Sequence, residues 1–377
     1  MASRLYSATC PLFAQVLFFL TSLGLVQLGG PTMLALIALY VAGLILLDVH
    51  QTQTRVTHFL PGRCHDALNR LLRVMPLSTR LLMALVIAWV KRLGQPGYLC
   101  LDDVIIEKAF AKKLPWAGWT YSFAKKHKVY GLHVVVLLWC SLDGRWRIPV
   151  AFRLWRPKRS CSKHDYRTKL QLAEQMVKDI ITAGLAFEYI VFDTQYTAGW
   201  FTKLLGRLGL IWVGTLPPAT IVIWRGRRCS IAELALVLKL KRRKHLEVRA
   251  VALRVYAPKY GGLRLVVTRN RHGNCEYIVS NDLSADLTTL VERKRSRWSI
   301  ETIFRDTKQF AGLVACQCWV DQAMVRHVAF VLLTFVVLQM MRVNPTESVG
   351  AVKERWQVDV VRHGEVPPVP LKAHQPL

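Results

Sequence analysis

Two stretches of the sequence, YLCLD at residues 98–102 and EYIVFD at residues 188–193, are apolar runs that each end in an aspartate. A short apolar run of this kind predicts a buried β-strand. An acid that closes such a strand stands at the edge of the sheet, held by a rigid element. The alternative is that Asp102 and Asp193 only cap the turn or helix that follows. Under the first interpretation, both aspartates lie at the edge of one sheet.

Strand and helix patterns alternate around these two stretches. Asp143-Gly144 lies between two β-rich runs and indicates a hairpin. From Tyr98 the predicted order is strand, strand, strand, helix, strand, helix and strand, assigned in turn to residues 98–102, 128–139, 147–154, 165–183, 188–193, 198–208 and 210–213. Strands interspersed with helices in this way predict an α/β fold with a mixed sheet.

Five regions follow from the composition along the chain. Residues 1–95 have helical patterns and are predicted to form an all-helical N-terminal region. The α/β core is predicted in two parts, residues 96–215 and residues 282–342, on either side of a β-strand-rich insertion at residues 216–281. That insertion contains a predicted hairpin around His272-Gly273-Asn274. Residues 343–377 are a Pro-containing C-terminal tail, predicted to be loosely ordered.

The charge of the chain is strongly positive. Among its 377 residues, Lys and Arg number 52 and Asp and Glu number 24, which gives a formal net charge of +28. Such an excess favours a polyanionic partner, because each neutralised phosphate releases counterions. A basic soluble protein without such a partner, or a membrane protein that rests on anionic lipid, has the same balance. Nucleic acid is the partner that this composition favours.

The N-terminal region is unusually apolar. No charged residue occurs from Leu5 to Leu47, and Met33–Leu47 is apolar throughout. Gly29, Gly30 and Pro31 interrupt the run, whereas a transmembrane helix needs about 20 consecutive apolar residues. We therefore expect a pair of buried helices, and the alternative is an integral membrane protein anchored by residues 11–47. The nine cysteines include no CxxC pair, which fits free thiols in the cytoplasm.

A third acid lies in RWSIETIFRDTK at residues 297–308. In a helix, Arg297, Glu301 and Lys308 share one face, because they are spaced by four and seven residues. Such a pair of Arg and Glu is often only a surface ion pair. Together with Asp102 and Asp193, however, Glu301 completes a set of carboxylates. Carboxylate oxygens are the ligands that Mg²⁺ or Mn²⁺ prefers, and two such ions catalyse in-line phosphoryl transfer.

Clusters of basic residues are candidates for contacts with DNA phosphates. The first cluster precedes a predicted strand and contains Lys125, Lys126 and Lys128, with Tyr121 and Phe123 interleaved. The second, KLKRRKH at residues 239–245, contains Arg242 and Arg243. Each cluster is equally compatible with a solvated charged face. We expect them to bind DNA if the acids form a site for phosphoryl transfer.

The order and spacing of these motifs resemble the bacterial insertion-sequence transposases of the DDE class, in the subgroup with a Tyr-Arg-Glu-Lys signature. Arg297, Glu301 and Lys308 fall on the last three positions of that signature, and Lys294 stands at the tyrosine position. The segment LDDVIIEK is similar to the Asp-x-Thr motif of these proteins. It assigns Asp102 as the first catalytic acid, with Val104 at the threonine position and Asp103 as the competing candidate.

This resemblance implies an RNase H-like core of the retroviral-integrase type, split by the β-strand insertion. It implies that Asp102, Asp193 and Glu301 hold two Mg²⁺ or Mn²⁺ ions, and that Lys294, Arg297 and Lys308 contact DNA. It further implies binding of terminal inverted repeats by a helical N-terminal region, strand cleavage, strand transfer into target DNA and a homodimeric synaptic complex at the bacterial nucleoid. No small-molecule substrate is expected. A catalytically impaired DNA-binding remnant, indicated by Lys294 and Val104, is the alternative.

Overall fold

A computed structural model describes residues 11–48, 55–56, 65–109, 114, 116–122, 125–316 and 318–362. Its α-helices are α1 Pro11–Ser22, α2 Gly30–Leu46, α3 His65–Arg73, α4 Thr79–Arg92, α5 Lys169–Thr182, α6 Gly199–Arg207, α7 Ile231–Val237, α8 Leu287–Ser296, α9 Trp298–Phe310, α10 Asp321–Met340 and α11 Val349–Arg362. Its strands are β1 Gly97–Glu107, β2 Gly118–Ser122, β3 His127–Ser141, β4 Arg147–Trp155, β5 Ile190–Phe192, β6 Trp212–Thr215, β7 Ile221–Trp224, β8 Arg227–Ser230, β9 Lys241–Arg243, β10 Val248–Ala257, β11 Gly261–Arg269 and β12 Cys275–Ser280.

Tertiary contacts divide the chain into two compact units. The helical unit comprises Met1–Trp89, Ile106–Pro115 and Phe304–Leu377. The sheet unit comprises Val90–Ile105 and Trp116–Ile303. The fold is therefore mixed α/β, as the sequence predicts, and each unit has its own core.

The core of the helical unit is built around α2 and α10. Both helices are predominantly apolar, and residues on all of their sides are buried. The Tyr40 hydroxyl of α2 lies 2.8 Å from Nδ1 of His327 on α10, and both side chains are buried. Helix α10 is long and apolar enough to cross a membrane, but 89% of its apolar window is buried in the protein, as in the core helix of a soluble protein. The predicted pair of buried N-terminal helices corresponds to α1 and α2.

Buried cations close the C-terminal ends of two helices in this unit. The last carbonyls of a helix have no partner within the helix. Nζ of Lys353 on α11 donates to the carbonyl of Leu47 at 3.0 Å, at the end of α2. Nη1 of Arg326 on α10 donates to the carbonyls of Leu71 and Leu72 in α3, both at 3.1 Å. These cations stabilise the helical unit.

Helix α11 corrects one prediction. The region from residue 343 was predicted to be a loosely ordered tail, but Val349–Arg362 is helical. Val352 and Val360 are 0% and 1% exposed, so one face of this helix is buried. The spacing of Val352, Trp356 and Val360 is that of one helical face. The prolines of this region lie outside the helix.

The sheet unit is organised by one twelve-stranded sheet. Its strand order is β2-β3-β1-β5-β6-β12-β11-β10-β7-β8, with β4 paired to β3 and β9 paired to β10. Strands β1, β5 and β6 are parallel neighbours at its centre. A parallel centre is buried on both faces, which explains the uninterrupted apolar runs before Asp102 and Asp193. The strand-rich region continues this sheet, because β12 pairs with β6.

Several boundaries differ from the predicted elements. Strand β1 continues past Asp102 to Glu107, and β2 was not predicted. Helix α5 begins at Lys169, four residues after the predicted start, and is capped by Thr168 in a capping box with Gln171. Both predicted hairpins are confirmed by the antiparallel pairs β3–β4 and β11–β12.

Candidate active site

Strand pairing brings the two strand-end aspartates together. In the parallel pair of β1 and β5, Leu101 lies opposite Phe192, so Asp102 and Asp193 occupy the next positions along the two strands. The charge of Asp193 raises the pKa of Asp102, which agrees with this closeness. Both acids therefore lie directly after the paired residues of β1 and β5, but Asp102 is inside β1 and not at its end.

The helical glutamate is linked to Asp102 through Arg297. This residue lies between α8 and α9, and its Nη1 donates to Oδ2 of Asp102 at 2.9 Å. Its Nη2 donates to Oε1 of Glu301, one turn farther along α9. One guanidinium thus bridges the first and third predicted acids. Within the part of the chain that the structure describes, the buried Nε of Arg297 has no hydrogen-bond partner.

Two stacked tyrosines fix the helix junction that carries Arg297. The rings of Tyr98 on β1 and Tyr189 before β5 are 5.1 Å apart and nearly parallel, at 2°. The Tyr98 hydroxyl lies 3.1 Å from Oγ of Ser299, and the Tyr189 hydroxyl lies 3.2 Å from Oγ of Ser296. These bonds tie the end of α8 and the start of α9 to the chain segments that lead into Asp102 and Asp193.

The electrostatics of the two strand-end acids are unusual. Burial, followed by the charge of Asp193, raises the pKa of Asp102 to about 7. Burial also raises the pKa of Asp193, although Arg297 and the backbone amides of Gln195 and Tyr196 oppose the shift. Buried carboxylates that repel each other favour the neutral form. Perturbed acids of this kind cluster at functional sites.

Asp103 has a different environment from its neighbour Asp102. Its carboxylate is 8% exposed and accepts hydrogen bonds from His133, Lys169, Gln195 and Tyr196. Although burial opposes it, the His133 hydrogen bond and the Lys169 charge lower the pKa of Asp103 to about 2. Its oxygens are already engaged by protein donors. Asp102 is therefore the better ligand candidate of the two.

The donor chemistry of the site fits a divalent cation. Asp102, Asp193 and Glu301 supply carboxylate oxygens, which hard cations prefer. Two of these acids have raised pKa values, so added positive charge would stabilise their ionised forms. Among the described residues, no three His, Cys, Asp or Glu side chains already form a cluster that could hold a metal ion. The guanidinium of Arg297 supplies the positive charge between Asp102 and Glu301.

The remaining predicted DNA contacts lie at three places. Lys294 pairs with Glu276 of β12 at 3.1 Å, so its charge is partly engaged. Lys308 lies seven residues beyond Glu301 on α9, in the segment that groups with the helical unit. Exposed residues at the β2–β3 turn and the start of β3 are Lys125, Lys126 and Lys128. Phe123, which was predicted to interleave with them, lies outside the described residues.

The strand-rich region contains a basic cavity of about 1060 Å³. Arg242 lines it, whereas Arg243 beside it on β9 does not. The other cationic side chains around the cavity come from β10, the β11–β12 hairpin, the turn after β9 and α8: Lys244, Arg249, Arg269, Arg271 and Arg295. Glu247 is the acid that lines it. This concentration of positive charge suits a polyanion.

Sequence reasoning missed the side chains that support the acids. Tyr98, Tyr189, Gln195, Tyr196 and Lys169 carry no metal-binding or nucleophilic pattern. Gln195 and Tyr196 follow Asp193 directly, which was the available signal. His133, in the apolar run of β3, is 4% exposed with a hydrogen bond to Asp103.

The chain is a mixed α/β protein in which Asp102 and Asp193 lie beside each other at the parallel centre of the sheet and Arg297 links Asp102 to Glu301. The sequence pattern of the family described as DDE superfamily endonuclease matches residues 25–232, which is more than half of the chain. The chain belongs to this family, which supports a nuclease- or transposase-like enzyme that acts on DNA. The matched segment includes Asp102 and Asp193 and ends before Glu301.

Other comparisons add little. No curated protein sequence matches the chain. Among solved structures, the NurA nuclease from Sulfolobus solfataricus is similar at 8% identity and a TM-score of 0.29, over 62% of this chain and 85% of that one. A superposition at this level carries no argument about fold or function.

Proposed function

We propose that this protein is a DNA transposase that binds the ends of an insertion sequence, cleaves them and transfers them into target DNA. The observation that carries the proposal is the bridge of Arg297 from Asp102 to Glu301, with Asp193 on the neighbouring strand. It links the first acid to the segment that carries Arg297 and Glu301, 195 residues farther along the sequence. The proposal includes an RNase H-like core, supported by the adjacent strands β4, β3, β1, β5 and β6.

The acids would hold two Mg²⁺ or Mn²⁺ ions. The chemistry that the ions supply is activation of the attacking oxygen and stabilisation of the leaving oxygen. Asp193 is oriented for binding by the amides of Gln195 and Tyr196, which donate to its Oδ1 at 2.9 and 3.4 Å. Arg297 orients Asp102 and Glu301, because each Nη atom of its guanidinium donates to one of these carboxylates.

The DNA partner is supported by charge. A net charge of +28 and the basic cavity around Arg242 favour binding of the phosphate backbone. We include the terminal inverted repeats and target DNA as substrates, a homodimer in the synaptic complex and a location at the bacterial nucleoid in the cytoplasm. The burial of α2 and α10 within the helical unit argues against a membrane anchor in residues 11–47.

The test is an incubation of the purified protein with Mg²⁺ and DNA that carries the inverted repeats flanking its reading frame. The expected products are cleaved ends and ends joined to target DNA. Asp193→Asn is expected to lower both activities by at least about 10³-fold, roughly 4 kcal/mol of barrier, while DNA binding is retained. Asp282→Asn, which changes an acid paired with Arg293, is the matched control and keeps both activities.

Results other than cleavage and joining would support a different function for the protein. DNA binding without cleavage by the wild-type protein would identify a catalytically impaired remnant. Cleavage without joining would identify a nuclease. Cleavage by Asp193→Asn at the wild-type rate would show that the proposed triad is wrong.

A further inference from the structure

Asp103 has more hydrogen-bond donors around it than either of the neighbouring acids. Its carboxylate is 8% exposed, and the donors come from three separate elements. They are Nδ1 of His133 on β3 at 3.1 Å, Nζ of Lys169 on α5 at 2.7 Å, Nε2 of Gln195 at 3.1 Å and the hydroxyl of Tyr196 at 3.0 Å. A buried carboxylate satisfied to this degree holds the elements around it in one arrangement.

Two of these donors belong to the turn that holds Asp193. The side chains of Gln195 and Tyr196 bind Asp103, and their backbone amides bind Oδ1 of Asp193. The position of this turn therefore depends on Asp103. The same turn determines where the Asp193 carboxylate points.

Asp103 is also in contact with the first acid. Its backbone N–H donates to Oδ1 of Asp102 at 2.8 Å. One residue thus touches the Asp102 carboxylate through its backbone and the Asp193 turn through its side chain. Because the two contacts are made by different atoms, a substitution of the side chain leaves the backbone contact in place.

We propose that Asp103 is a positioning residue that sets the Asp193 carboxylate relative to Asp102 for metal binding. This inference rests on the proposed function, since it concerns the same site. Residues that orient metal ligands typically change metal affinity by about 10- to 100-fold when they are altered. The Nζ atom of Lys169, 2.7 Å from Oδ2 of Asp103, places a positive charge against this buried carboxylate.

The first measurement is Mn²⁺ binding to the full chain by calorimetry, without DNA. Asp103→Asn keeps the shape of the side chain but removes its charge, and we expect Mn²⁺ affinity to fall by about tenfold. Asp282→Asn is the matched control, because Asp282 is an acid with low exposure that pairs with Arg293 at 3.2 Å. We expect this control to lose thermal stability but to bind Mn²⁺ as the wild type does.

A second measurement needs no metal. Hydrogen exchange of the peptide that spans residues 194–197 reports the stability of the turn. We expect faster exchange there in Asp103→Asn and an unchanged rate in Asp282→Asn. Tyr196→Phe removes a single hydroxyl and serves if Asp103→Asn does not fold. Tyr196→Phe should change Mn²⁺ affinity and hydrogen exchange in the same direction as Asp103→Asn, but by less. The effects of the two substitutions should not add when they are combined, since both break the same interaction.

The outcomes separate this inference from the proposed function. Wild-type affinity for Mn²⁺ and wild-type exchange in Asp103→Asn would overturn the positioning role while the transposase proposal stands. Faster exchange in that variant, together with weaker Mn²⁺ binding, would support it. A wild-type chain that binds no Mn²⁺ would overturn the proposed function and with it this role.

Discussion

Buried charges in the helical unit and in the sheet unit have different surroundings. In the helical unit, Nζ of Lys353 donates to the carbonyls of Leu44, Leu47 and Phe310 at 3.4, 3.0 and 2.9 Å. In the sheet unit, Asp102 and Asp193 repel each other, and burial raises the pKa of both. Lys353 is surrounded by these carbonyls and the Asp48 carboxylate, although burial lowers its pKa, whereas the two acids lie beside a charge of the same sign.

The difference separates structural charges from functional ones. Removal of one partner from a satisfied buried charge is strongly destabilising, because it leaves polar groups buried without partners. A buried charge that the protein satisfies poorly costs stability, and such sites persist where function requires them. Asp103 shows that the sheet unit can satisfy a buried acid fully, so the poor satisfaction of Asp102 is not imposed by the sheet.

Lys353→Met should cause the largest loss of stability. It leaves the carbonyls at the end of α2 without their donor, and we expect the free energy of unfolding to fall by about 3 kcal/mol. Urea unfolding measures this change. Lys178→Met, at a half-exposed surface pair, is the control and should alter stability by about 0.5 kcal/mol or less. A loss below about 1 kcal/mol for Lys353→Met would contradict its structural role.

Arg297→Lys should lower cleavage and leave the fold intact. Lysine keeps the charge but cannot bridge Asp102 and Glu301 with one planar group, so we expect a rate about 30-fold lower, roughly 2 kcal/mol. Single-turnover cleavage of end DNA measures this. Arg305→Lys on the same helix is the control, because Arg305 is exposed and pairs with Asp306. A rate for Arg297→Lys that matches the control would remove Arg297 from the site.

Asp102→Asn should stabilise the metal-free protein at high pH. The folded pKa of Asp102 is about 7, above the ordinary value of 3.8, so the folded state holds a proton that the unfolded state releases. Stability therefore falls as pH rises from about 4 to about 7, and the substitution removes this loss. We expect a gain of about 1 kcal/mol at pH 8 and little change near pH 4.

Asp103→Asn is the control for this experiment, because its effect on stability should depend on pH in the opposite direction. Its folded pKa of about 2 lies below the ordinary value, so its contribution to stability is present above about pH 4 and is lost as pH falls through 2. The variant should be less stable than the wild type at both pH 5 and pH 8. Parallel pH profiles for the two variants would show that the two aspartates do not differ in environment.

Arg242→Ala should have the smallest effect. Loss of one phosphate contact in the basic cavity should weaken DNA binding a few-fold and lower the slope of log K against log salt by about 0.9. Fluorescence anisotropy at several salt concentrations measures the slope. Arg207→Ala, an exposed residue on α6 outside the cavity, should leave the slope unchanged. Equal slopes for both variants would exclude the cavity as a DNA contact.

The local part of the site was predictable from the sequence. Apolar runs indicated the strands that end in Asp102 and Asp193, since buried strands require such runs. Helical spacing placed Arg297 and Glu301 on one face, and their ion pair confirms it. The contact of Arg297 with Asp102 joins residues 195 apart, and no local pattern encodes it.

The two adjacent aspartates show where sequence reasoning ends. Consecutive side chains of a strand point to opposite faces, so a difference between Asp102 and Asp103 was predictable. The sequence did not predict which face of the strand carries the hydrogen-bond donors, because those donors come from β3, α5 and the turn after β5. Helix α11 was not predicted, although Val352, Trp356 and Val360 have helical spacing. The prolines of the region indicated a loosely ordered tail instead.

Strand β12 determines how the third acid is delivered to the site. It pairs with β6 through Ile278 opposite Thr215, and the chain then enters α8 and α9. The strand-rich region is therefore not a detachable module. A chimera that replaces residues 221–280 has to supply a strand with the same register against β6, or Glu301 loses its anchor. Exchange of this region between relatives is thus restricted by backbone pairing as well as by the DNA that each relative binds.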